Sequence, residues 1–366
     1  MNDKVSIIIP TYNGSNTIER TIKSVFKQSY AHYEIIVVDD GSTDNTVKLV
    51  KNLLPHSKIV QQQNQGTLAA RQAGLNLAEG SLIAFLDQDD VWFENALRDR
   101  LEVFRRHPDV GLVLANMESV DDNGNSLGFN MIPTEKKFSP SWDDLLTLHP
   151  IANSVAIFRR DVINKIGGLD TRFGFSGALG DTDTFVRMSE VTKLHYINKP
   201  LGLYRWSEIR PGRLFSFLYN LRIYAEKYWG HPRLQNYSSK VKFVQASCYY
   251  ALHIYRLLFD QYENKVSEEL LKKLNENNKF MYNLFGDIYL TTIGLLWLNL
   301  GFHQIDREDM RALLFVYLLR RDLQESFAQV IYGELKGFLN WATHVAQESY
   351  TAQDAFMIKP FFDKRG

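Results

Sequence analysis

Ser81-Leu82-Ile83-Ala84-Phe85-Leu86-Asp87-Gln88-Asp89-Asp90 is an apolar run that stops on three carboxylates. Such a run reads as a buried parallel strand carrying acid to its C-terminal edge, the place where open α/β sheets hold ligands. Two carboxylates separated by one residue suit a hard divalent cation. Mg²⁺ or Mn²⁺ takes one or two of them and fills its other positions with water and phosphate oxygens, so the pattern points to a phosphate-bearing substrate. A solvated acidic turn after a strand is the alternative reading of the same residues.

Upstream, the pattern repeats. Val5 to Pro10 is a β-branched run closed by proline, followed by the loop Thr11-Tyr12-Asn13-Gly14. Ile18, Ile22, Val25 and Phe26 have helical spacing, and Tyr33 to Val38 is a second buried strand ending in Asp39-Asp40. Ser42 or Asp44 can cap the helix carrying Val47, Val50 and Leu54. Lys58-Ile59-Val60 is a third strand, and Gln65-Gly66-Thr67 opens a helix through Arg71 and Leu75. This alternation predicts a mostly parallel sheet flanked by helices, with the acids near Asp40, Asp87 and Asp89 on one edge.

Downstream, the expected elements are a helix over 91–106, a strand from Val110 to Met117 and a hairpin turn at Asp121-Asp122-Asn123-Gly124-Asn125. A strand from Ile151 to Arg159 and a helix to Ile166 follow, ended by Gly167-Gly168. Asp170 to Leu179 reads as a Gly- and Phe-rich loop, its part from Phe173 to Leu179 a candidate acceptor-side lid, and Asp181-Thr182-Asp183 opens a helix from Thr184 to Val191. After Tyr204-Arg205-Trp206 strand signals vanish. Pro211-Gly212 interrupts the pattern, giving a domain over 1–209 and an all-α C-terminal domain over 210–366 with helices near 247–259, 269–275, 281–300 and 311–333.

Composition narrows the class. The chain has 366 residues with 42 Lys plus Arg against 42 Asp plus Glu, so no global field argues for nucleic acid. Its single cysteine, Cys248, forms no internal disulfide and reads as helix packing, which favours a reducing, cytoplasmic compartment. The N-terminus runs into a strand without a secretory pattern. Ile288 to Phe302, the longest apolar stretch, is interrupted by Thr291, Thr292 and Asn299 and reads as a core helix, not a span. The aromatic C-terminal helices leave open acceptor shaping, a homo-oligomer contact, or peripheral contact with the cytoplasmic membrane face.

Together, Ile9-Pro10-Thr11-Tyr12-Asn13, Val38-Asp39-Asp40-Gly41-Ser42-Thr43-Asp44, Ala70-Arg71-Gln72-Ala73-Gly74, Phe85-Leu86-Asp87-Gln88-Asp89-Asp90, Phe158-Arg159-Arg160 with Gly167-Gly168-Leu169-Asp170, and Gly180-Asp181 resemble glycosyltransferase family 2. The resemblance covers about residues 4–206. It implies a GT-A fold and an inverting, metal-assisted enzyme that moves a sugar from a nucleotide-sugar, UDP-linked in the first reading, to a hydroxyl of a glycan or lipid-linked acceptor. It implies that Tyr12 stacks on the base beside Pro10 and Thr11, that Asp40 accepts from the base, and that Arg71, Asp87 and Gln88 attend the donor. Asp89 becomes the ligand of Mn²⁺ or Mg²⁺ and Asp181 the general base, with Asp90 left to cap the next helix.

Two positions depart from the family pattern. Gly180 stands where Glu usually precedes the base, and Tyr204-Arg205-Trp206-Ser207-Glu208 lacks the histidine that often adds a metal ligand. Glu208 can supply a hard oxygen instead, and Asp183 is a second acid beside the base. His195, inside an apparent strand, reads as structural. Trp206, Phe173, Phe175 and Trp142 are candidates for an acceptor-side stacking wall, with core packing the alternative. The departures also keep open a catalytically inactive nucleotide-sugar-binding or assembly module.

Overall fold

The structure is a computed structural model that describes residues 3–131, 141–146, 153–174, 177–206, 211–235, 240, 243, 244, 246, 247, 251 and 268–285. The chain divides into two compact units, Met1–Ser247 and Cys248–Gly366. Among the described residues, the first is built on one nine-stranded sheet. Strands β1 (Val5–Thr11), β2 (Tyr33–Asp39), β3 (Lys58–Gln61) and β4 (Leu82–Phe85) are mutually parallel in the order β3-β2-β1-β4. Alternation within β1 sends Val5, Ile7 and Ile9 to the core that holds Ile18, Ile22 and Val25 of helix α1 (Ile18–Phe26). Ile8 points to the other face, where helix α3 (Thr67–Leu77) lies so close that a Cβ on Gly74 would sit 2.4 Å from Ile8 Cγ2. Helix α2 (Thr46–Leu53) has Asn45 at its N-cap, not the expected Ser42 or Asp44, and Asp44, one residue earlier, accepts from the Thr46 amide at 3.0 Å.

Beyond β4 the sheet is mixed. Its order continues through β8 (Ile157–Arg159), β6 (Val110–Val120), β9 (Lys193–Arg205) and β5 (Val91–Trp92), while β7 (Ser126–Asn130) pairs with β6 as a hairpin around residues 121–125. β8 is antiparallel to β4 and β6. The expected strand over 151–159 is therefore shorter. Asn153–Val155 is a 3₁₀ turn packed against β4, and a strand that leaves from the acid-bearing edge must run back against it. The helix expected over 91–106 likewise begins late, at α4 (Ala96–Arg106), because Val91 and Trp92 pair with Leu203 and Gly202 of β9.

After helix α5 (Trp142–Leu146) and helix α6 (Arg160–Lys165), helix α7 runs from Gly177 to Ser189. It starts seven residues before Thr184, so Asp181 and Asp183 lie inside it and not at its cap. Helix α8 (Pro211–Trp229), on the C-terminal side of the sequence boundary at 209, belongs to the first unit and packs on α7. In the second unit the described helix is α9 (Glu268–Phe285), with Met281 and Phe285 buried. The segments 288–302 and 311–333 lie outside the described residues, as does Cys248. Among the described residues, no helix is long and apolar enough to cross a membrane.

Candidate active site

The C-terminal ends of β1, β2 and β4 form one polar rim. β1 delivers Thr11 and Tyr12, and the side-chain amide of Gln88 stitches that exit to the acidic turn. Gln88 Oε1 accepts from Thr11 Oγ1 at 2.6 Å and from the Tyr12 amide at 2.9 Å, while its Nε2 donates to the Tyr12 carbonyl at 3.1 Å. Gln88, expected to touch the donor, thus holds the backbone that presents Tyr12. A Cβ on Gly14 would meet Gln88 Oε1 at 2.2 Å, so this packing requires glycine there. Pro10 and Thr11 are buried, whereas Tyr12 is 45% exposed at the rim, its ring available to a flat partner. Asn13, at φ 48°, accepts from the Thr43 amide and donates its own to Ser42 Oγ, tying the β1 loop to the β2 loop.

Asp40 is buried at the end of β2. Its Oδ1 accepts from Gln62 Nε2 and the Gln65 amide, and its Oδ2 from the Gly66 amide at 2.8 Å. It therefore shapes the turn into α3, and Gly66 at φ 94° completes that turn.

Arg71 enters from α3. Its guanidinium is 1% exposed, lies 5.5 Å from the Phe85 ring centroid, and donates from Nη1 to Asp181 Oδ1 at 2.6 Å and from Nη2 to Asp87 Oδ1. Asp181 also accepts from Asn153 Nδ2 at 2.6 Å. Burial pushes the Asp181 carboxyl up to about 7, against the pull of Arg71 and with a push from Asp87. A carboxylate poised there can take a proton near neutral pH.

The acidic turn itself is held by Ser154, whose Oγ accepts from the Asp87 amide and donates to Asp90 Oδ2. Asp90 is not a helix cap. It is buried, accepts from the Arg205 amide at 3.1 Å, and is raised well above the usual carboxylate range by burial and by Asp89 and Asp87. The reason is β5, which separates Asp90 from the helix at Ala96. Asp87 and Asp89 are about a third exposed, at 30% and 29%, and Arg205 Nη1 approaches Asp89 Oδ2 at 3.6 Å while its Nη2 pairs with Asp122 at 2.8 Å. Among the described residues no three His, Cys, Asp or Glu side chains gather as a cage. Two hard oxygen donors on an open rim nevertheless fit the way Mg²⁺ or Mn²⁺ is held by one or two carboxylates plus phosphates.

Several expected site residues face elsewhere. Asp183 is fully buried and accepts from Tyr228 Oη at 2.8 Å, Lys227 Nζ at 2.6 Å and Arg187 Nε at 2.8 Å. Two positions along a helix are about 200° apart, so Asp181 and Asp183 take opposite faces of α7. Phe173 is buried against Tyr224, and Trp142 is buried and stacked on His231 at 5.0 Å, so neither forms an open wall. Trp206 is half-buried, edge-on to Phe129 and Tyr204 at 5.9 Å each. His195 stacks on His107, and burial lowers its pKa, as befits a structural residue. Phe175 and Glu208 lie outside the described residues, as does residue 176 of the lid expected over 173–179, whose end, Gly177–Leu179, is helix. Asn153, Ser154 and Arg205 had no assigned role in the sequence. The signal for the first two is a polar pair inside the apolar run Ile151 to Phe158.

The model of glycosyl transferase family 2 matches residues 6–167. An uncharacterized glycosyltransferase of Nostoc sp. is 38% identical over 128 residues, covering 34% of this chain and 39% of that protein. The Escherichia coli UDP-Glc:alpha-D-GlcNAc-diphosphoundecaprenol beta-1,3-glucosyltransferase WfgD is 37% identical over 121 residues, 32% of this chain and 47% of WfgD. This chain thus spans less than half the length of either relative. Residues 1–349 of S. aureus TarS superpose with a TM-score of 0.62 at 19% identity, covering 89% of this chain and 91% of that one. The same fragment in complex with UDP-GlcNAc gives 0.59. At this identity the likeness is one of fold, and the fold is of the GT-A type.

Proposed function

We propose that this chain, whose residues 6–167 belong to glycosyl transferase family 2, transfers a sugar from a nucleotide-sugar donor to a hydroxyl of a glycan or lipid-linked acceptor, with inversion. The observation that carries the reading is the bridge from Asp87 through Arg71 to Asp181, which joins one donor-side acid to one buried carboxylate. An inverting transfer needs a base opposite the leaving group, and burial leaves Asp181 basic enough to serve near neutrality, while Asp90, also raised, is committed to Ser154 and the Arg205 amide. Tyr12 offers an exposed ring to the base, beside Asp40. The glucosyltransferase WfgD and the UDP-GlcNAc complex of TarS support a UDP-linked donor.

Asp89 and Asp87 would hold Mn²⁺ or Mg²⁺, which when bound supplies positive charge to the departing diphosphate. The chain's own contribution is orientation. Ser154 and the buried Asp90 fix the acidic turn, Gln88 fixes the loop that presents Tyr12, and Arg71 with Asn153 fixes Asp181. Asp181 takes the proton of the attacking hydroxyl while the bond from the anomeric carbon to the diphosphate breaks.

A panel of UDP- and GDP-sugars scored by thermal shift, with Mn²⁺ and with chelator, tests the reading. A true donor at about 100 times its Kd raises stability by about 2.7 kcal/mol. The shift is expected with metal only and to be lost in Asp89→Ala; a panel without any shift, or one indifferent to Asp89, refutes it. The second reading, a binding module without turnover, draws on the depth of Asp181, which is 6% exposed. It predicts the same shift with no donor hydrolysis.

A further inference from the structure

Arg71 stands in the sequence where an arginine is expected to approach the donor, but its surroundings give it another task. The side chain is 1% exposed and packs over Phe85. Both terminal nitrogens are committed, Nη1 to Asp181 and Nη2 to Asp87, and Nε is buried without a hydrogen-bond partner. To reach a phosphate the guanidinium would have to abandon Asp181, leaving a buried carboxylate with Asn153 as its remaining hydrogen-bond partner among the described residues. A planar fork can hold two carboxylates at a set distance and orientation, which an ammonium cannot.

We infer that Arg71 is a positioning residue: it clamps the carboxylates of Asp87 and Asp181 in one frame, so that the acid on the donor side and the base on the acceptor side keep a fixed geometry before any substrate arrives. The inference rests on the transferase reading above and deepens it. Arg71 touches neither donor nor acceptor. Its charge lies between two acids, the groups that face Asp181 being Arg71 from α3, Asp87 from the turn after β4, and the neutral Asn153 from the 3₁₀ turn.

The test compares Arg71→Lys, which keeps the charge and loses the fork, with Arg71→Met, which loses both. UDP affinity by calorimetry and kcat across pH, with the donor selected by the panel, are the readouts. A clamp predicts a kcat loss of about 100-fold in Arg71→Met, within the range of general-base effects, with the UDP Kd changed by less than about threefold. It also predicts that the acid limb of the kcat profile moves to higher pH in Arg71→Met, because the cation that favours ionised Asp181 is gone. Arg71→Lys should move that limb less while still losing kcat. A tenfold weaker UDP Kd with kcat preserved would make Arg71 a donor ligand and overturn the clamp, as would an unmoved limb. Should the wild type bind no nucleotide, the transferase reading fails separately. The clamp is then read without substrate, from a double-mutant cycle of Arg71→Met and Asp181→Asn in urea unfolding. Coupled effects support it and additive ones reject it.

Discussion

Replacing Asp181 by asparagine preserves shape and deletes one titration, and the consequences can be worked from its surroundings. The carboxyl lies at 3.8 when exposed in the unfolded chain and at about 7 in the folded chain, where burial opposes its charge. Between these values the folded protein keeps a proton that the unfolded chain has released. Stability therefore declines as pH rises through the window and levels off above the folded value. The gap of about three units is worth about 4 kcal/mol over the full span, and about 2.5 kcal/mol between pH 5 and pH 8. Asparagine cannot titrate, so the difference in unfolding free energy between Asp181→Asn and wild type should shift by about 2.5 kcal/mol in favour of the variant from pH 5 to pH 8. Other shifted acids cancel in that difference; Asp170, for one, is held well below the usual range by Arg172 and by Lys227, against its burial. Urea titrations of both proteins at the two pH values measure it. In parallel, wild-type kcat should fall as pH drops below about 7, and Asp181→Asn should lose about 10²–10⁴-fold. A stability difference that is flat with pH would refute the burial argument, and a variant with normal turnover would remove Asp181 as base.

Gly74→Ala places a methyl 2.4 Å from Ile8 Cγ2 and 3.3 Å from Val38 Cγ2, forcing α3 off the sheet. Despite alanine's better helix propensity, a net loss of about 1–3 kcal/mol is expected in urea unfolding, and no loss would mean that α3 rides farther out. Tyr12→Ala should weaken UDP up to about tenfold in calorimetry, the worth of one stacked ring, while Tyr12→Phe stays within about twofold. Equal losses in both would shift the role from the ring face to the hydroxyl.

The parallel half of the sheet was legible because its strands are buried on both faces and so read as unbroken apolar runs, each ending in a loop or acid at the ligand edge. Val5–Thr11, Tyr33–Asp39 and Leu82–Phe85 fall where the runs fall. The second half was harder to read. Val91–Trp92 is two residues long and exists through its pairing with β9, more than a hundred positions away, which no local period records. Asn153–Val155 lies within a run of otherwise strand-like composition, yet Asn153 and Ser154 find partners in Asp181, Asp87 and Asp90 and turn inward as 3₁₀. Rim acids could be read from strand ends, whereas the groups that orient them arrive from other elements.

Gly180 shows how a departure from a motif can carry the site. Read locally, Gly177 and Gly180 argue for a flexible loop, and glycine is a poor helix former by about 1 kcal/mol per residue. In the fold α7 already runs through both. A Cβ on Gly180 would lie 2.2 Å from Leu68 Cδ1 and 3.1 Å from Phe173 Cβ, so only glycine lets α7 seat this deeply against α3 and the 171–173 turn. Leu68 is one turn before Arg71 on α3, and Gly180 is one residue before Asp181 on α7. The close approach at the first pair therefore brings the second pair within hydrogen-bond reach, at 2.6 Å. A glutamate at 180 could not occupy that contact, and an α7 displaced to admit it would carry Asp181 away from Arg71. The missing acid and the buried carboxylate of Asp181 are on this account one adaptation: side-chain volume is given up before that carboxylate so that the guanidinium behind it can hold it.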